Sequence, residues 1–129
     1  MTSLDAVIFY VGVHLLLLAY ISFNVGRNRI RHKVNLGDGG NEEVLRAVRA
    51  QGNYIEYTPL ALLGLYGLSA AGFSVWVIHL FGLTYTIARL LHFIGLGLNK
   101  MEKGRFYGTI GTMLVLLIMG ATLIIRSFL

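Results

Sequence analysis

Four polar side chains on one helical stripe stand out as candidates for chemistry in this chain: Arg46, Arg49, Asn53 and Glu56. At 100° per residue they stand at roughly 0°, 300°, 340° and 280°, an arc of about 80°. They lead into Pro59 and the apolar run Leu60-Ala-Leu-Leu-Gly-Leu-Tyr66, so the stripe opens what otherwise reads as a membrane helix. Each charge at the centre of such a helix costs about 2.5–3.5 kcal/mol on insertion scales. Two cations, an amide and a carboxylate on one face therefore need compensation. Pairing among themselves and with neighbouring helices would supply it without any function. Arginines near a helix end can also reach back to the interface, but Asn53 and Glu56 lie deeper.

A second stripe, Tyr85, Arg89 and His92, follows at i, i+4 and i+7 in a later apolar run. Together the two stripes could gather donors around one carboxylate. Arginine forks suit carboxylates, an asparagine amide both donates and accepts, and a glutamate suits an ammonium or amide N–H. A compact zwitterion with two carboxylates and one amine fits that inventory. An ion or proton pathway would use the same residue types. Such a pathway needs polar residues continuing across the membrane, whereas Phe106 to Ile125 and the second half of the Pro59 helix are nearly all apolar.

The remaining candidates read more plainly. His14 is a lone polar residue expected to reach the interface or meet a neighbouring helix, His79 is interfacial, and His32 belongs to a basic loop. No histidine has metal-ligand spacing with another His or a carboxylate, so no metal is expected. Tyr54, Tyr57 and Tyr66 read as interface or packing aromatics. There is no glycine-rich phosphate loop and no Ser-His-Asp pattern.

The elements that must position these residues are membrane helices. The 129 residues are 56% hydrophobic and 13% charged, against about 25% charged in soluble domains, and the mean hydropathy is +0.69. The net charge of +5 is not a nucleic-acid footprint, because most cations fall in two short interhelical segments. There is no cysteine, so any thiol chemistry must use a thiol brought by a ligand. The expected architecture is all-α, an integral membrane four-helix bundle forming a single domain over 1–129. Its spans run from about 4 to 26, 42 to 71, 75 to 98 and 106 to 126, with a bend at Pro59. The first span has no cation before it and several after it, the reverse of a secretory signal, so it reads as a retained helix.

Orientation follows from the short loops. Arg27, Arg29, Arg31 and Lys33 follow span one, and Lys100, Lys103 and Arg105 precede span four, whereas the turn at Ala71-Gly-Phe-Ser74 has no cation. Positive-inside places both basic segments in the cytoplasm and both termini outside it. Glycines recurring within the spans let helices approach closely. One small bundle has little interior room for the polar stripe and a ligand, and an oligomer interface would add walls.

The run Arg46-Ala-Val-Arg49-Ala-Gln-Gly-Asn53-Tyr-Ile-Glu56-Tyr57-Thr-Pro59 resembles the signature of the membrane-associated proteins in eicosanoid and glutathione metabolism, the MAPEG family. Its pattern, Arg-x-x-Arg-Ala-x-x-Asn-x-x-Glu with a nearby Pro, is matched without gaps. Ala88-Arg89-Leu-Leu-His92 extends the match, and length, spans and basic loops agree, so the resemblance covers nearly the whole chain. It implies a bacterial-type member in the inner membrane, assembled as a homotrimer that binds glutathione between subunits on the cytosolic side.

By resemblance, Arg49, Asn53 and Glu56 match glutathione-binding positions, while Arg46, Tyr57, Arg89 and His92 match positions lining or bracing the same pocket. An arginine at the end of helix one corresponds to Arg27, with Arg29 a rival. The arginine that contacts the thiol corresponds to Arg105, with Lys103 a rival. Leu96 stands where the mammalian enzymes carry a tyrosine. The implied activity is glutathione transfer: thiolate activation, then attack on a lipophilic electrophile or lipid substrate arriving from the membrane, with peroxide reduction as a related activity. The alternative is a glutathione-binding or scaffold membrane protein without turnover.

Overall fold

The computed structural model describes residues 1–129 as four helices and no strands: α1 Ser3–His32, α2 Glu42–Ala70, α3 Val75–Leu96 and α4 Gly104–Arg126. Helices α1, α3 and α4 are each long and apolar enough to cross a membrane. The fourth, α2, has 29 residues and is long enough, but Glu42, Glu43, Arg46, Arg49 and Glu56 make its first half polar.

Local signals set the ends. Thr2 and Asp5 close a reciprocal capping box on α1, with the Thr2 hydroxyl accepting from the Asp5 N–H at 3.1 Å and the Thr2 N–H donating to the Asp5 carboxylate at 2.7 Å. The Asn41 side chain accepts from the Val44 N–H at 3.1 Å and starts α2. This helix runs through Pro59 without a break.

Helix α1 extends six residues past the expected end at Gly26, to His32, and Lys33 caps it at φ 56°. The basic residues Arg27, Arg29 and Arg31, with His32, are therefore helical rather than part of a loop. Hydropathy marks where the apolar stretch stops, but nothing before Lys33 breaks a helix, and cations favour a helix C-terminus. Likewise α3 stops at Leu96, two residues early, and α4 begins at Gly104, two residues early, which puts Arg105 in its first turn.

The helices run up and down, and contacts fix which ends meet. At one end the Ser69 hydroxyl donates to Ser3 at 3.0 Å, and Arg126 donates to the Ala71 carbonyl at 3.3 Å. Both termini and the uncharged α2–α3 turn lie there. At the other end His32 meets Glu43 at 2.8 Å, with Arg31 at 3.7 Å from the same oxygen. The His32 hydrogen bond, with smaller help from Arg31, holds the Glu43 carboxyl below its ordinary range. All the inter-helix cations gather at this basic end.

Two apolar clusters fill the bundle. The larger, around Val7, Tyr10, Leu65, Ile78 and Met119, lies toward the termini, and the smaller, around Ile21, Ala50, Tyr54 and Phe93, lies toward the basic end. The side chains of His14, Thr58, Arg89 and Thr112 are also buried. The α3–α4 seam depends on glycine. A Cβ at Gly104 would sit 2.6 Å from the Leu91 carbonyl oxygen, and one at Gly108 would sit 2.6 Å from the Ala88 carbonyl oxygen and 2.7 Å from the His92 Cα. Backbone meets backbone there, so no side chain fits without moving a helix.

Candidate functional site

The seam sets the site. By bringing Gly108 against His92 and Gly104 against Leu91, it carries Arg105 to the mouth of a cavity of about 390 Å³ at the basic end. Helix α2 supplies Arg46, Arg49 and Asn53 to its wall, α3 supplies His92 and Leu96, and α4 supplies Arg105 and Thr109. Three arginines thus line one cleft, and Glu42 is the only carboxylate among the lining residues. That carboxylate is already engaged, accepting from Arg46 Nη2 at 2.8 Å and from its Nε at 3.2 Å.

Behind this wall lies Arg89, 2% exposed. Its Nη2 donates to Asn53 Oδ1 at 2.7 Å and its Nη1 to the Thr112 hydroxyl at 3.3 Å. The guanidinium carbon lies 5.5 Å from the Tyr54 ring centroid and 6.0 Å from that of Tyr57, within cation–π range. No carboxylate pairs with it, since the ion pairs of the chain involve only Arg31, His32 and Arg46 as cations. Its Nε has no hydrogen-bond partner, and neither does Nδ1 of the buried His92 on the cavity wall. Buried polar nitrogens are normally satisfied. These two, beside a cleft of arginines, are not.

The structure brings together Arg46, Arg49, Asn53, His92 and Arg105 on the cavity wall, with Arg89 behind Asn53. Three other expected residues stand outside this cavity. Tyr57 sets its ring 6.0 Å from the Arg89 guanidinium. Glu56 is exposed, makes no ion pair within the chain and does not line the cavity; it shares its face of α2 with Arg49 but lies about two turns farther along the helix. Arg27 lies across α2, in a different cleft. Of the two rivals, Lys103 is the exposed N-cap of α4 and does not line the cavity, while Arg29 donates to the Asn35 carbonyl at 3.4 Å.

Sequence reasoning missed Glu42, Leu45 and Thr109. Glu42 was legible as the i−4 partner of Arg46, and Thr109 as one turn beyond Arg105; Leu45 carries no signal of its own. It also placed His14 only loosely. That residue is 2% exposed and joins three helices, with its Nδ1 2.5 Å from the Tyr54 hydroxyl and its Nε2 3.2 Å from that of Thr86. Tyr54 and Asn53 are sequence neighbours about 100° apart on α2, so Asn53 lines the cavity while the Tyr54 hydroxyl reaches His14, and the two layers share one turn of the helix.

A family model described as the MAPEG family matches residues 7–125. The chain belongs to the MAPEG family. Among relatives, inner membrane protein YecN of Escherichia coli K12 is 34% identical over 110 residues, covering 85% of this chain and 83% of that protein. Human microsomal glutathione S-transferase 2 is 30% identical over 115 residues, covering 86% of this chain and 76% of that protein. Family membership and three apolar helices make this MAPEG protein a multi-pass membrane protein.

The unpaired guanidinium predicts an uncommon mutational signature. In ligand-free protein Arg89→Met should leave thermal stability in mild detergent unchanged or raised, because a buried charge without a counter-charge is replaced by apolar volume. A loss of about 3–5 kcal/mol, the figure for breaking a buried ion pair, would instead identify Arg89 as a structural strut.

Proposed function

We propose that this MAPEG protein is a glutathione transferase, binding glutathione in the arginine-lined cavity and activating its thiolate for attack on lipophilic electrophiles. The observation that carries the reading is Arg89: a buried cation without a carboxylate partner, behind a cleft walled by Arg46, Arg49 and Arg105. An anionic ligand supplies the missing charge, and a tripeptide with two carboxylates and one ammonium matches the donors present. The human relative's name and the family match support the choice of glutathione.

In this reading Arg49 and Arg46 take the carboxylates, and Asn53, held by Arg89, orients a backbone amide of the peptide. Glu56 suits its ammonium or an N–H. His92 offers its free Nδ1, and Tyr57 braces Arg89. Arg105, in the first turn of α4, takes the sulfur. A free thiol has a pKa near 8.5, so about 3% is ionised at neutral pH. A cation that lowers this by about 1–2 units raises the ionised fraction to roughly 25–75%. The proton leaves to solvent, the thiolate forms a carbon–sulfur bond, and the displaced group departs with its electron pair. No protein nucleophile is needed, in keeping with a chain that has no cysteine. A second reading, in which glutathione is held without turnover, stands beside it because family membership does not fix activity.

Assembly completes the site in this reading. Glu56 and Arg27 lie outside the protomer's cavity, and Glu56 has no partner within the chain. A homotrimer in the inner membrane, its basic end in the cytoplasm, brings such residues to a neighbour's cleft. Detergent-corrected light scattering should return three copies, and a monomer at micromolar concentration would remove the intersubunit site. For orientation, a reporter that fluoresces only in the cytoplasm should stay dark when fused to Leu129; a bright fusion would invert the topology.

Kinetics test the chemistry. Arg49→Ala should weaken glutathione binding by about 1.5–3 kcal/mol in calorimetry, the range for hydrogen bonds to charged groups. Arg105→Ala should change affinity much less but lower turnover by about one to three orders of magnitude, because its charge acts on the thiolate rather than the thiol. Arg105→Lys should recover part of the loss and Lys103→Ala should lose little. Thiolate absorbance on mixing reads the first step. A normal signal in Arg105→Ala with its loss in Lys103→Ala would move the role to Lys103. Loss in neither would point to Arg27 or Arg29. Binding without product in the wild-type protein would leave the second reading.

A further inference from the structure

Helix α1 supplies no residue to the wall of the arginine cavity, yet its buried histidine is tied to that wall by a series of contacts. His14, Tyr54 and Arg89 are each 2% exposed. The Tyr54 hydroxyl meets His14 Nδ1 at 2.5 Å, and the face of its ring lies 5.5 Å from the Arg89 guanidinium carbon. Arg89 Nη2 then donates to Asn53 Oδ1 at 2.7 Å, and Asn53 lines the cavity. The series runs from α1 through α2 and α3 to the ligand face.

The protons along it are assigned from the acceptors. The Thr86 hydroxyl donates to the Gly82 carbonyl at 2.7 Å, so at 3.2 Å it receives the His14 Nε2–H. An imidazole protonated at Nε2 leaves Nδ1 as an acceptor, and the Tyr54 hydroxyl donates to it. The carbonyl of His14, 3.2 Å from the same hydroxyl, is the longer and weaker alternative. Both ring nitrogens of His14 are thus committed inside the bundle, so any influence on the cavity passes through its partners.

His14 holds the far end of the Tyr54 side chain, which fixes the direction its ring faces. A phenol that donates to an imidazole also gains electron density at that face, where the Arg89 cation lies. Arg89 has no carboxylate to fix it. Two neutral acceptors and two ring faces are all that aim its Nη2 at Asn53. With its oxygen so engaged, Asn53 leaves its NH₂ to the cavity. We propose that His14 is a positioning residue of the glutathione site: by fixing Tyr54 it fixes Arg89, and through Arg89 the donor that Asn53 offers the ligand. The identity of that ligand rests on the glutathione reading, whereas the link from His14 to Arg89 exists without ligand and is tested without it.

Two measurements on the full-length protein in mild detergent make the test. One is the guanidinium nitrogen magnetic resonance of Arg89 in ligand-free protein, assigned by its loss in Arg89→Met; the other is glutathione affinity by calorimetry. His14→Leu should shift the resonance and weaken binding about tenfold, the effect of one buried hydrogen bond. Tyr54→Phe removes the same bond from its other side while keeping the ring, so the double variant should bind no more weakly than either single one. His14→Asn places an amide oxygen near the Nδ1 position and should restore both readouts. His14→Gln reaches toward Thr86 instead and should restore neither, and this pair keeps the test decisive if His14→Leu does not fold. Tyr10→Phe removes another phenol–histidine bond, 3.1 Å to His79, in the cluster toward the termini, and should match wild type in both readouts. Wild-type behaviour in His14→Leu, additive losses in the double variant, an Asn variant no better than Gln, or an equal loss in Tyr10→Phe would each overturn the positioning role. No glutathione binding by the wild-type protein would overturn the glutathione reading alone; the Arg89 resonance, read without ligand, would still support or sink the link from His14.

Discussion

Arg89 is charged, almost wholly buried, and held only by neutral groups: an asparagine oxygen, a threonine hydroxyl and two tyrosine faces. Dipoles can tolerate a guanidinium in such a place, but they do not neutralise it. Its field therefore extends into the adjoining cleft, where Arg46, Arg49 and Arg105 add to it and Glu42 subtracts only what Arg46 already uses. Arginine stays protonated even when buried, so the protein cannot relieve this by losing a proton. The surrounding arrangement follows from that constraint: Asn53 must present its oxygen inward, Thr112 must sit one turn beyond Gly108, and the tyrosines must show their faces.

Glycine makes the constraint geometrically workable. Helices α3 and α4 touch backbone to backbone at Gly104 and Gly108, which lets Thr112 reach Arg89 and sets Arg105 over the cavity mouth. Without that close approach the first turn of α4 would stand a side chain's width farther from His92. The same seam thus fixes both the buried cation and the exposed one. Packing and electrostatics are set by one contact rather than by two.

Much of this was legible in the residues. The stripe of Arg46, Arg49 and Asn53 and the triplet ending in Arg89 and His92 follow from helical period alone, and the structure places all five at one cavity or directly behind it. The helix ends were less legible, because hydropathy detects the membrane's thickness rather than the helix's stop. Arg27 to His32 continue α1 for physical reasons that an apolar window does not see. Glu56 shows the limit of the period argument. It shares its face with Arg49 about two turns farther along α2, so the period cannot tell the two apart, and only the packed position of α3 and α4 decides where the cavity ends. His14 was hardest: a single histidine in an apolar run carries no periodic signal, and its partners Tyr54 and Thr86 lie on two other helices.

Helix α2 accounts for why the polar layer sits where it does. It is the one helix of the four not apolar enough to cross a membrane on composition, and it contributes to both sides of its own axis. Asn53 faces the arginine cleft while Tyr54 meets His14 on α1. Thr58, one turn on, meets the Tyr85 hydroxyl at 3.2 Å. Beyond Pro59 the helix turns apolar, and Ala61, Leu65 and Leu68 join the larger cluster. Deep in the bundle, Asn53, Tyr54 and Thr58 find partners on α1 and α3 because lipid has none to offer, whereas Glu42, Glu43, Arg49 and Glu56 stay on the exposed side of α2.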